Sequence, residues 1–229
     1  MKIIGLIGGM SWESTAIYYR RLNEEVRRRR GGLYSAEIVL RSLDFTRIVA
    51  LQHLGDWDGA ADILAAAAQQ LEAMGASMVL ICTNTMHKVA EQVQRAITIP
   101  LLHITDPTAR AVCAGGCQRP LLLATRYTME QNFYLDRLRQ QHGLSPVIPC
   151  EPDRALIHDI IFDELCRGVI HEESRATYRA VIARGIARGA DSVILGCTEI
   201  GLLIGPADCP VPLFDSTTLH ADAALDACL

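Results

Sequence analysis

Residues 77–87 read SMVLICTNTMH, and residues 192–200 read SVILGCTEI. Each stretch is a short apolar run that ends in a Cys-Thr pair with other small or polar residues, and each precedes a helical pattern. Apolar runs of this length that alternate with helical segments are typical of βαβ units around a mostly parallel sheet. The two stretches lie about half the chain apart, which indicates two similar α/β halves.

Strands and helices are predicted to alternate along the rest of the chain. The predicted strands are Lys2–Ile7, Glu37–Ser42, Ser77–Ile81, Leu101–Ile104, Leu121–Ala124, Pro146–Ile148, Ser192–Leu195 and Val211–Phe214. The predicted helices are Trp12–Arg30, Asp58–Met74, one from about Met86, Thr108–Gly115, Met129–Gln141, Arg154–Arg167, Glu172–Arg188 and Leu219–Cys228. We predict a first α/β domain of residues 1–105 plus 213–229, to which the last strand and helix return, and a second of residues 106–212.

The composition argues against several classes of protein. Half of the 229 residues are hydrophobic and 21% are charged, which is ordinary for a globular chain. The net charge of −4 gives no general electrostatic reason to expect a nucleic-acid partner. The basic block at residues 27–30 is interpreted as a solvated helix end, where cations complement the helix dipole. Since no apolar run reaches about 18 residues, no membrane span is expected.

The cysteines and the N-terminus bear on the cellular compartment. The segment MKIIGLIGGM lacks the length and the cleavage site of a signal peptide. The eight cysteines form no compact framework, so reduced thiols in the cytoplasm are expected rather than disulfides. Cys113 and Cys117 are separated by three residues and have no second ligand pair nearby, so no metal site is predicted.

Small and polar residues follow three of the predicted strands, in the segments Gly8–Ser11, 83–85 and 197–199. Ligands of open α/β sheets bind beyond the carboxyl ends of the strands. If the two halves face each other, Thr83 and Cys197 come from opposite sides of one cleft. Inversion at a carbon needs this geometry, because one group removes a proton from one face and another returns a proton to the opposite face.

The other side chains in these segments suit a carboxylate. Short hydroxyl and amide side chains, together with backbone amides at helix N-termini, bind carboxylates well. Asn84, Thr85 and Thr198 are therefore predicted to hold the α-carboxylate of a substrate and to help stabilise carbanion charge.

Cys197 has a particular advantage as an acid or base. The ordinary pKa of a thiol is about 8.5, and a helix N-terminus lowers it. We therefore expect Cys197 to act as a thiolate base or a thiol acid near neutrality. The pattern alone leaves a second interpretation open, in which Cys197 is a small buried residue that only packs.

Five blocks, in order along nearly the whole chain, resemble the aspartate/glutamate racemase family. They are IGLIGGMSWEST at 4–15, CTNTMH at 82–87, IIFDEL at 160–165, LGCTEI at 195–200, and FDST at 214–217 with His220. The resemblance implies two pseudo-symmetric Rossmann-like α/β domains with the active site in the cleft between them. It also implies catalysis without pyridoxal phosphate, another cofactor or a metal, an amino acid as small-molecule substrate, and a homodimer.

The chain departs from the common family pattern at one position. The usual first block is Cys-Asn-Thr, with that cysteine as a catalytic base, whereas this chain has Thr83 there. Cys82 comes one residue earlier, and adjacent side chains of a strand point to opposite faces, so Cys82 is predicted to pack. The Thr/Cys pair resembles a subgroup specific for L-aspartate and L-glutamate. That resemblance implies that Cys197 abstracts the α-proton of the L-enantiomer and that Thr83 serves the other face.

Several supporting residues have a functional and a structural interpretation. Gln52 lies in the loop after the second predicted strand, where a glutamine contacts substrate in the resembling subgroup. Glu199 orients a substrate amine or the thiol, or is simply a favourable acid in a first helical turn. His87 tunes the site or packs, and Arg47 and Arg126 hold a side-chain carboxylate or lie on the surface. The predicted substrate-binding residues are Met10, Ser11, Gln52, Asn84, Thr85, Thr198 and Glu199.

Three other functions stay open beside an aspartate or glutamate racemase. The first is a racemase of broad amino-acid specificity. The second is a hydantoin racemase or a decarboxylase of the same superfamily, since a lyase needs only one protonating group. The third is an amino-acid-binding protein that has lost turnover along with one cysteine.

Overall fold

Each predicted half forms its own parallel sheet of three strands in the computed structural model, which describes residues 1–229. The chain divides into two compact units: Met1–Ile104 with His220–Leu229, and Thr105–Leu219. The predicted class, two α/β domains with parallel sheets, is therefore confirmed. None of the helices combines the length and the apolar character needed to cross a membrane.

The first unit contains a sheet of order β2-β1-β3. Its elements are β1 (Ile4–Gly8), α1 (Trp12–Arg30), β2 (Ile38–Ser42), α2 (Phe45–Leu54), α3 (Trp57–Ala73), β3 (Met78–Ile81), a 3₁₀ helix (Thr85–Val89) and α4 (Ala90–Arg95). Ile4 of β1 aligns with Ile38 of β2 and Met78 of β3, both parallel. Side chains of β1 and β3 are buried along their whole length, which explains why these runs are uninterruptedly apolar.

The first sheet is covered on both faces. On one face, Ile7 and Ile81 share a core cluster with Leu64 of α3. On the other face, Leu6 packs in a cluster with Tyr18 of α1. The buried positions of α3 recur every three or four residues, so the helix presents one apolar side to the sheet.

The second unit contains a sheet of order β4-β5-β6. Its elements are α5 (Thr105–Ala114), β4 (Pro120–Leu123), α6 (Arg126–Glu130), α7 (Asn132–Asp136), a π-helix (Arg137–Gln141), α8 (Glu151–Asp163), a 3₁₀ helix (Leu165–Arg167), α9 (Glu172–Ala187), β5 (Ser192–Leu195), α10 (Ile200–Leu203), a 3₁₀ helix (Pro206–Asp208), β6 (Leu213–Asp215) and the start of α11 (Ser216–Cys228), most of which belongs to the first unit. Gly185 lets α9 approach β4 closely, since an added Cβ would lie 2.5 Å from a methyl carbon of Leu121.

The last strand belongs to the second sheet, whereas the sequence-based division assigned residues 213–229 to the first domain. β6 pairs in parallel with β5, and Val193 aligns with Leu213. Residues up to Leu219 therefore fall in the second unit, and the chain re-enters the first unit at His220, within α11.

Two predicted strands are only isolated bridges. Residues 101–104 form one bridge, between Val79 and Leu101, because the chain turns into α5 at Thr105. Residues 146–148 likewise form one bridge, between Leu121 and Val147. Pro146 begins this second segment and Pro149 follows it, and neither proline can donate to a ladder.

Two helical regions also differ from prediction. The segment 129–141 is divided by Gln131, which is extended with φ −95° and ψ 145°. Helix α2 was missed, although its end signals are in the sequence. Asp44 caps its start by accepting a hydrogen bond from the amide of Thr46, and Gly55 ends it in the left-handed conformation.

Candidate active site

The carboxyl edge of the first sheet brings together the segments that follow β1 and β3. These strands pair in parallel, with Ile7 beside Ile81, so their ends are neighbours. Ser11 caps α1 by accepting from the amide of Ser14, and Ser14 Oγ donates to the Cys82 carbonyl at 2.8 Å. The first turn of α1 is thereby fixed to the end of β3.

Gly9 permits the turn that carries Met10 and Ser11. Its φ is +85°, and an added Cβ would lie 2.1 Å from the Leu43 carbonyl oxygen, at the end of β2. Its amide donates to Thr15 Oγ1 at 2.8 Å. Only glycine fits this conformation and this close approach. Met10 and Ser11 are buried at the same edge of the sheet.

Thr83 follows β3 and is partly buried, while its neighbours Asn84 and Thr85 are buried. The Thr83 carbonyl accepts a hydrogen bond from His87 Nδ1 at 2.8 Å. Cys82, one residue earlier, is fully buried in the cluster that contains Tyr18, and burial raises the pKa of its thiol strongly. Such a thiol stays protonated and packs against apolar neighbours.

Gln52 lies in helix α2, and not in a loop as the sequence had indicated. It is buried, and its side-chain amide donates to Met86 Sδ at 3.1 Å. This contact joins the C-terminal turn of α2 to the 3₁₀ helix after Thr83. The loop prediction was wrong because the capping signals at Asp44 and Gly55 were missed.

Cys197 follows β5 at the carboxyl edge of the second sheet and is partly buried. Its thiol donates a hydrogen bond to Glu199 Oε2 at 2.9 Å. Burial, followed by the negative charge of Glu199, raises the pKa of Cys197 well above its ordinary value. The expected lowering by a helix N-terminus is therefore wrong, because α10 is only four residues long and a carboxylate contacts the sulfur. Cys197 rests as a thiol.

Glu199 and Thr198 are both buried beside this thiol. Glu199 is the N-cap residue of α10, and its carboxylate is the acceptor for the thiol proton. Of the alternatives from the sequence, the structure contains the contact with the thiol, and it also places this acid at the start of a helix. A thiol hydrogen-bonded to a carboxylate is an acid/base pair that can take up and release a proton.

Tyr178, which lies near both the Cys197 thiol and the Glu164 carboxylate, had not been assigned from the sequence. Tyr178 of α9 is fully buried, and desolvation, together with the nearby carboxylate of Glu164, raises the pKa of its phenol. Glu164 accepts from Ser174 Oγ at 2.6 Å. Glu164 lies in the IIFDEL block, so the sequence offered a signal for it, whereas nothing in the local pattern around Tyr178 did.

Hydroxyl groups also line the ends of the strands on either side of β5. Thr125 and Thr128 follow β4, with their hydroxyl oxygens 3.3 Å apart. Ser216 follows β6 and donates from Oγ to the Leu195 carbonyl at 2.7 Å. The position of these residues after apolar strands was the signal that identified Thr83 and Cys197, and it applies equally here.

The two candidate cations for a side-chain carboxylate lie on the surface of their units. Arg47 is exposed on α2 and lines a cleft of about 420 Å³ together with Arg41, Asp44 and Asp62. Arg126 has a side chain that is 45% exposed and pairs with Glu130 at 3.4 Å and Glu151 at 3.8 Å. These exposed ion pairs hold Arg126 only weakly.

The predicted site residues are divided between the two sheets. Met10, Ser11, Thr83, Asn84 and Thr85 lie at the carboxyl edge of the first sheet, with Gln52 in contact with Met86. Cys197, Thr198 and Glu199 lie at the carboxyl edge of the second sheet. Each sheet therefore carries one group suited to proton transfer, surrounded by small polar side chains.

Comparisons with known proteins agree on one family. A family model described as Asp/Glu/Hydantoin racemase matches residues 7–224. Among solved structures, the chain is similar to a Yersinia pestis protein described as a candidate Asp/Glu racemase, with 50% identity and a TM-score of 0.93 over 100% of this chain and 99% of that one. An aspartate racemase homologue from Pyrococcus horikoshii is 33% identical, with a TM-score of 0.86 over 100% and 99% of the two chains.

Curated relatives are more distant. The broad specificity amino-acid racemase RacX of Bacillus subtilis is 22% identical over 71% of this chain and 69% of its own. A glutamate racemase of Exiguobacterium sibiricum is 29% identical over 68% of this chain. The match spans 59% of that enzyme's length.

Proposed function

The chain belongs to the Asp/Glu/hydantoin racemase family, and on that premise we propose that it inverts the α-carbon of aspartate or glutamate by two-base proton transfer. Membership of a racemase family supports an isomerase. The observation that carries the proposal is the Cys197 thiol at the end of β5, hydrogen-bonded to the Glu199 carboxylate at 2.9 Å. Thr83, at the corresponding end of β3, supports the assignment of the second group.

Cys197 is proposed to abstract the α-proton of the L-enantiomer. The thiol must first lose its proton, and the Glu199 carboxylate contacts it as an acceptor. A substrate ammonium group brings positive charge, which favours the thiolate because opposite charge lowers a thiol pKa. In the reverse direction the raised pKa suits Cys197 to return a proton to the same face of the carbanion.

Thr83 is proposed to serve the opposite face of the α-carbon. A hydroxyl is a far weaker acid than a thiol, so the proton that Thr83 delivers must be replaced from water. The Thr83 hydroxyl is also a poor base for starting from the D-enantiomer. The equilibrium constant between free enantiomers is one by symmetry, so kcat/KM is equal in the two directions. An L-preference then takes the form of kcat and KM changing together.

The small polar residues at both edges are proposed to bind the amino acid. Asn84, Thr85 and Thr198 suit the α-carboxylate, since hydroxyl and amide groups donate to carboxylate oxygens. Ser11 and Met10 follow β1, whose end is next to the end of β3 in the first sheet. Gln52 and Glu199 complete the proposed substrate-binding set.

Exchange of the α-proton in deuterated water tests this function. The wild-type chain is incubated with L-aspartate and with L-glutamate, and deuterium incorporation and inversion are followed together. Exchange with inversion supports a racemase, while exchange without inversion means that one base works. Binding without exchange would indicate a sensor, and release of carbon dioxide a decarboxylase. Cys197→Ser is expected to abolish both exchange and inversion.

A racemase of broad specificity is the second candidate. The exposure of both candidate cations, Arg47 and Arg126, favours it, because an exposed cation pairs only weakly with a carboxylate. A panel of neutral and basic L-amino acids in the same exchange assay separates the two functions. Exchange confined to aspartate and glutamate would exclude the broad specificity.

We also propose a homodimer in the reducing environment of the cytoplasm. The eight cysteines are free thiols in the structure, which is compatible with that environment. Light scattering after size-exclusion chromatography measures the mass, and a monomer at micromolar concentration would contradict the dimer. Microscopy of the tagged full chain in its source cell tests the compartment.

A further inference from the structure

Three histidines are grouped in the first unit close to Thr83. The ring of His87 lies 4.6 Å from that of His103 and 5.6 Å from that of His220, measured between centroids. All three side chains are buried. The group lies outside the proton-transfer steps described above, so its role needs a separate account.

The hydrogen bonds of His87 define its tautomer. Nδ1 lies 2.8 Å from the Thr83 carbonyl oxygen, which can only accept, so Nδ1 carries the proton. Nε2 lies 3.1 Å from the amide nitrogen of Ile104, which can only donate, so Nε2 is the acceptor. The ring is therefore neutral and bridges the end of β3 to the segment that leads out of the first unit.

His220 is oriented in a similar way by its own partners. Its Nε2 lies 2.9 Å from the Leu102 carbonyl oxygen, so it donates there. Its Nδ1, 2.7 Å from the Tyr18 hydroxyl, then accepts from that hydroxyl. Tyr18 is itself fully buried in α1. A buried tyrosine and two backbone carbonyls thus fix both rings against the end of β3.

We propose that His87 is a positioning residue for Thr83. Its Nδ1–H anchors the Thr83 carbonyl, and this fixes the peptide that follows β3 and the direction in which the Thr83 side chain leaves the backbone. The proposal rests on the proposed function, because it assumes that the Thr83 hydroxyl takes part in proton transfer. Because small displacements of a reacting group cost large factors in rate, an anchored peptide is a direct way to secure that hydroxyl.

Two substitutions separate the two hydrogen bonds of the ring. In His87→Asn the amide nitrogen takes the place of Nδ1, which keeps the donor to Thr83 and loses the acceptor for Ile104. In His87→Gln the amide oxygen reaches the place of Nε2, which keeps the acceptor and loses the donor. His103→Gln, which replaces the neighbouring ring, serves as the control for disturbed packing.

The activity readout compares inversion with exchange from the L-substrate in deuterated water. In His87→Gln we expect inversion to fall about tenfold or more, while exchange through Cys197 persists, because only the Thr83 face is affected. His87→Asn should retain inversion, and His103→Gln should change the rates of exchange and inversion by the same factor. Equal loss of exchange and inversion in both His87 variants would show a purely structural role and overturn the proposal.

A second readout does not depend on turnover. Ring ¹⁵N spectra of the wild-type chain should show the proton on Nδ1 of His87, and a proton on Nε2 would refute the proposal. The methyl signal of Thr83 should move in His87→Gln and not in His87→Asn.

If the wild-type chain neither exchanges nor inverts any substrate, the proposed function fails. An unmoved methyl signal in His87→Gln would then overturn the positioning role as well. If His87→Gln does not fold, the wild-type tautomer and the His87→Asn variant decide.

Discussion

At the residue scale, the asymmetry between Thr83 and Cys197 leads to a first prediction. Thr83→Cys supplies a thiol where the chain has a hydroxyl, and a thiol is the better base. We expect kcat for the D-enantiomer to rise by about an order of magnitude or more. Chiral chromatography of D-aspartate and D-glutamate reactions measures it. Thr83→Ser, which keeps the hydroxyl, is the control. Unchanged D-turnover while L-turnover persists would contradict the role of Thr83.

A second prediction concerns the charge next to Cys197. Burial and then the Glu199 carboxylate hold the pKa of this thiol well above its ordinary value. Glu199→Gln removes the negative charge, so the thiolate should form at a pH lower by about one unit or more. The ultraviolet absorbance of the thiolate follows this without turnover, using the difference from Cys197→Ser as baseline.

The same variant changes the rate in a predictable way. Because the thiolate forms more readily, the rising limb of kcat/KM for the L-substrate should shift to lower pH. The maximum should fall, since the proton acceptor at 2.9 Å is lost. A thiol titration that stays in place, or moves to higher pH, would refute the pairing of Cys197 with Glu199.

The sequence predicted the identity of these residues better than their contacts. Thr83 and Cys197 stand out because each follows an apolar run, and the family resemblance adds their roles. The hydrogen bonds from Cys197 to Glu199 and from His87 to Thr83 join residues two and four positions apart. Such bonds depend on rotamers and on short irregular helices, which no periodicity in the sequence encodes.

At the scale of elements, α1 carries a cluster of charges against α11. Glu25 accepts from Arg28 and Arg29, and Arg29 also pairs with Asp226 of α11. The basic block at 27–30 is therefore partly engaged in ion pairs within the first unit, and not only solvated as the sequence had indicated.

This cluster leads to a third prediction. The hydrogen bonds from Arg28 and then Arg29 lower the pKa of Glu25 to about 2, from an ordinary value of 4.5. A carboxyl whose pKa is lower in the folded state adds stability above its unfolded pKa, and loses it as the pH falls from 4.5 towards about 2. Glu25→Gln should lower the stability to urea at neutral pH and weaken its decline over that acid range. Glu24→Gln, at the exposed neighbour, is the control. Parallel pH profiles of wild type and Glu25→Gln would contradict the assignment.

Element prediction succeeded where one local signal dominated. The fully buried strands β1, β3, β4 and β5 are continuous apolar runs, and α1 begins after the capping residue Ser11. It failed at the two predicted strands that the structure reduces to single bridges, where the prolines around residue 147 and the start of α5 stop the ladder. Those outcomes depend on competition between neighbouring elements, which an apolar pattern does not reveal.

At the scale of the whole molecule, the internal repeat predicted the two sheets, but not which sheet receives the last strand. β6 is three residues long, and pairing with β5 decides its place. A run this short has no preference for either sheet, so its partner follows from long-range register alone. The part of α11 from His220 onwards has a clear preference for the first unit, because Leu225 is fully buried in the cluster with Tyr18 and Leu80.

This connectivity leads to the last prediction. Leu225→Ala removes a side chain from a core cluster whose members all belong to the first unit, and a cavity of this kind costs about 2–5 kcal/mol. Amide hydrogen exchange should therefore accelerate in β1 and β3 more than in β4 and β5, because the second sheet loses no contact of its own. Leu202→Ala, at a position 39% exposed, is the control and should leave both sheets protected. Equal acceleration in both sheets of Leu225→Ala would mean that the chain unfolds as one cooperative unit.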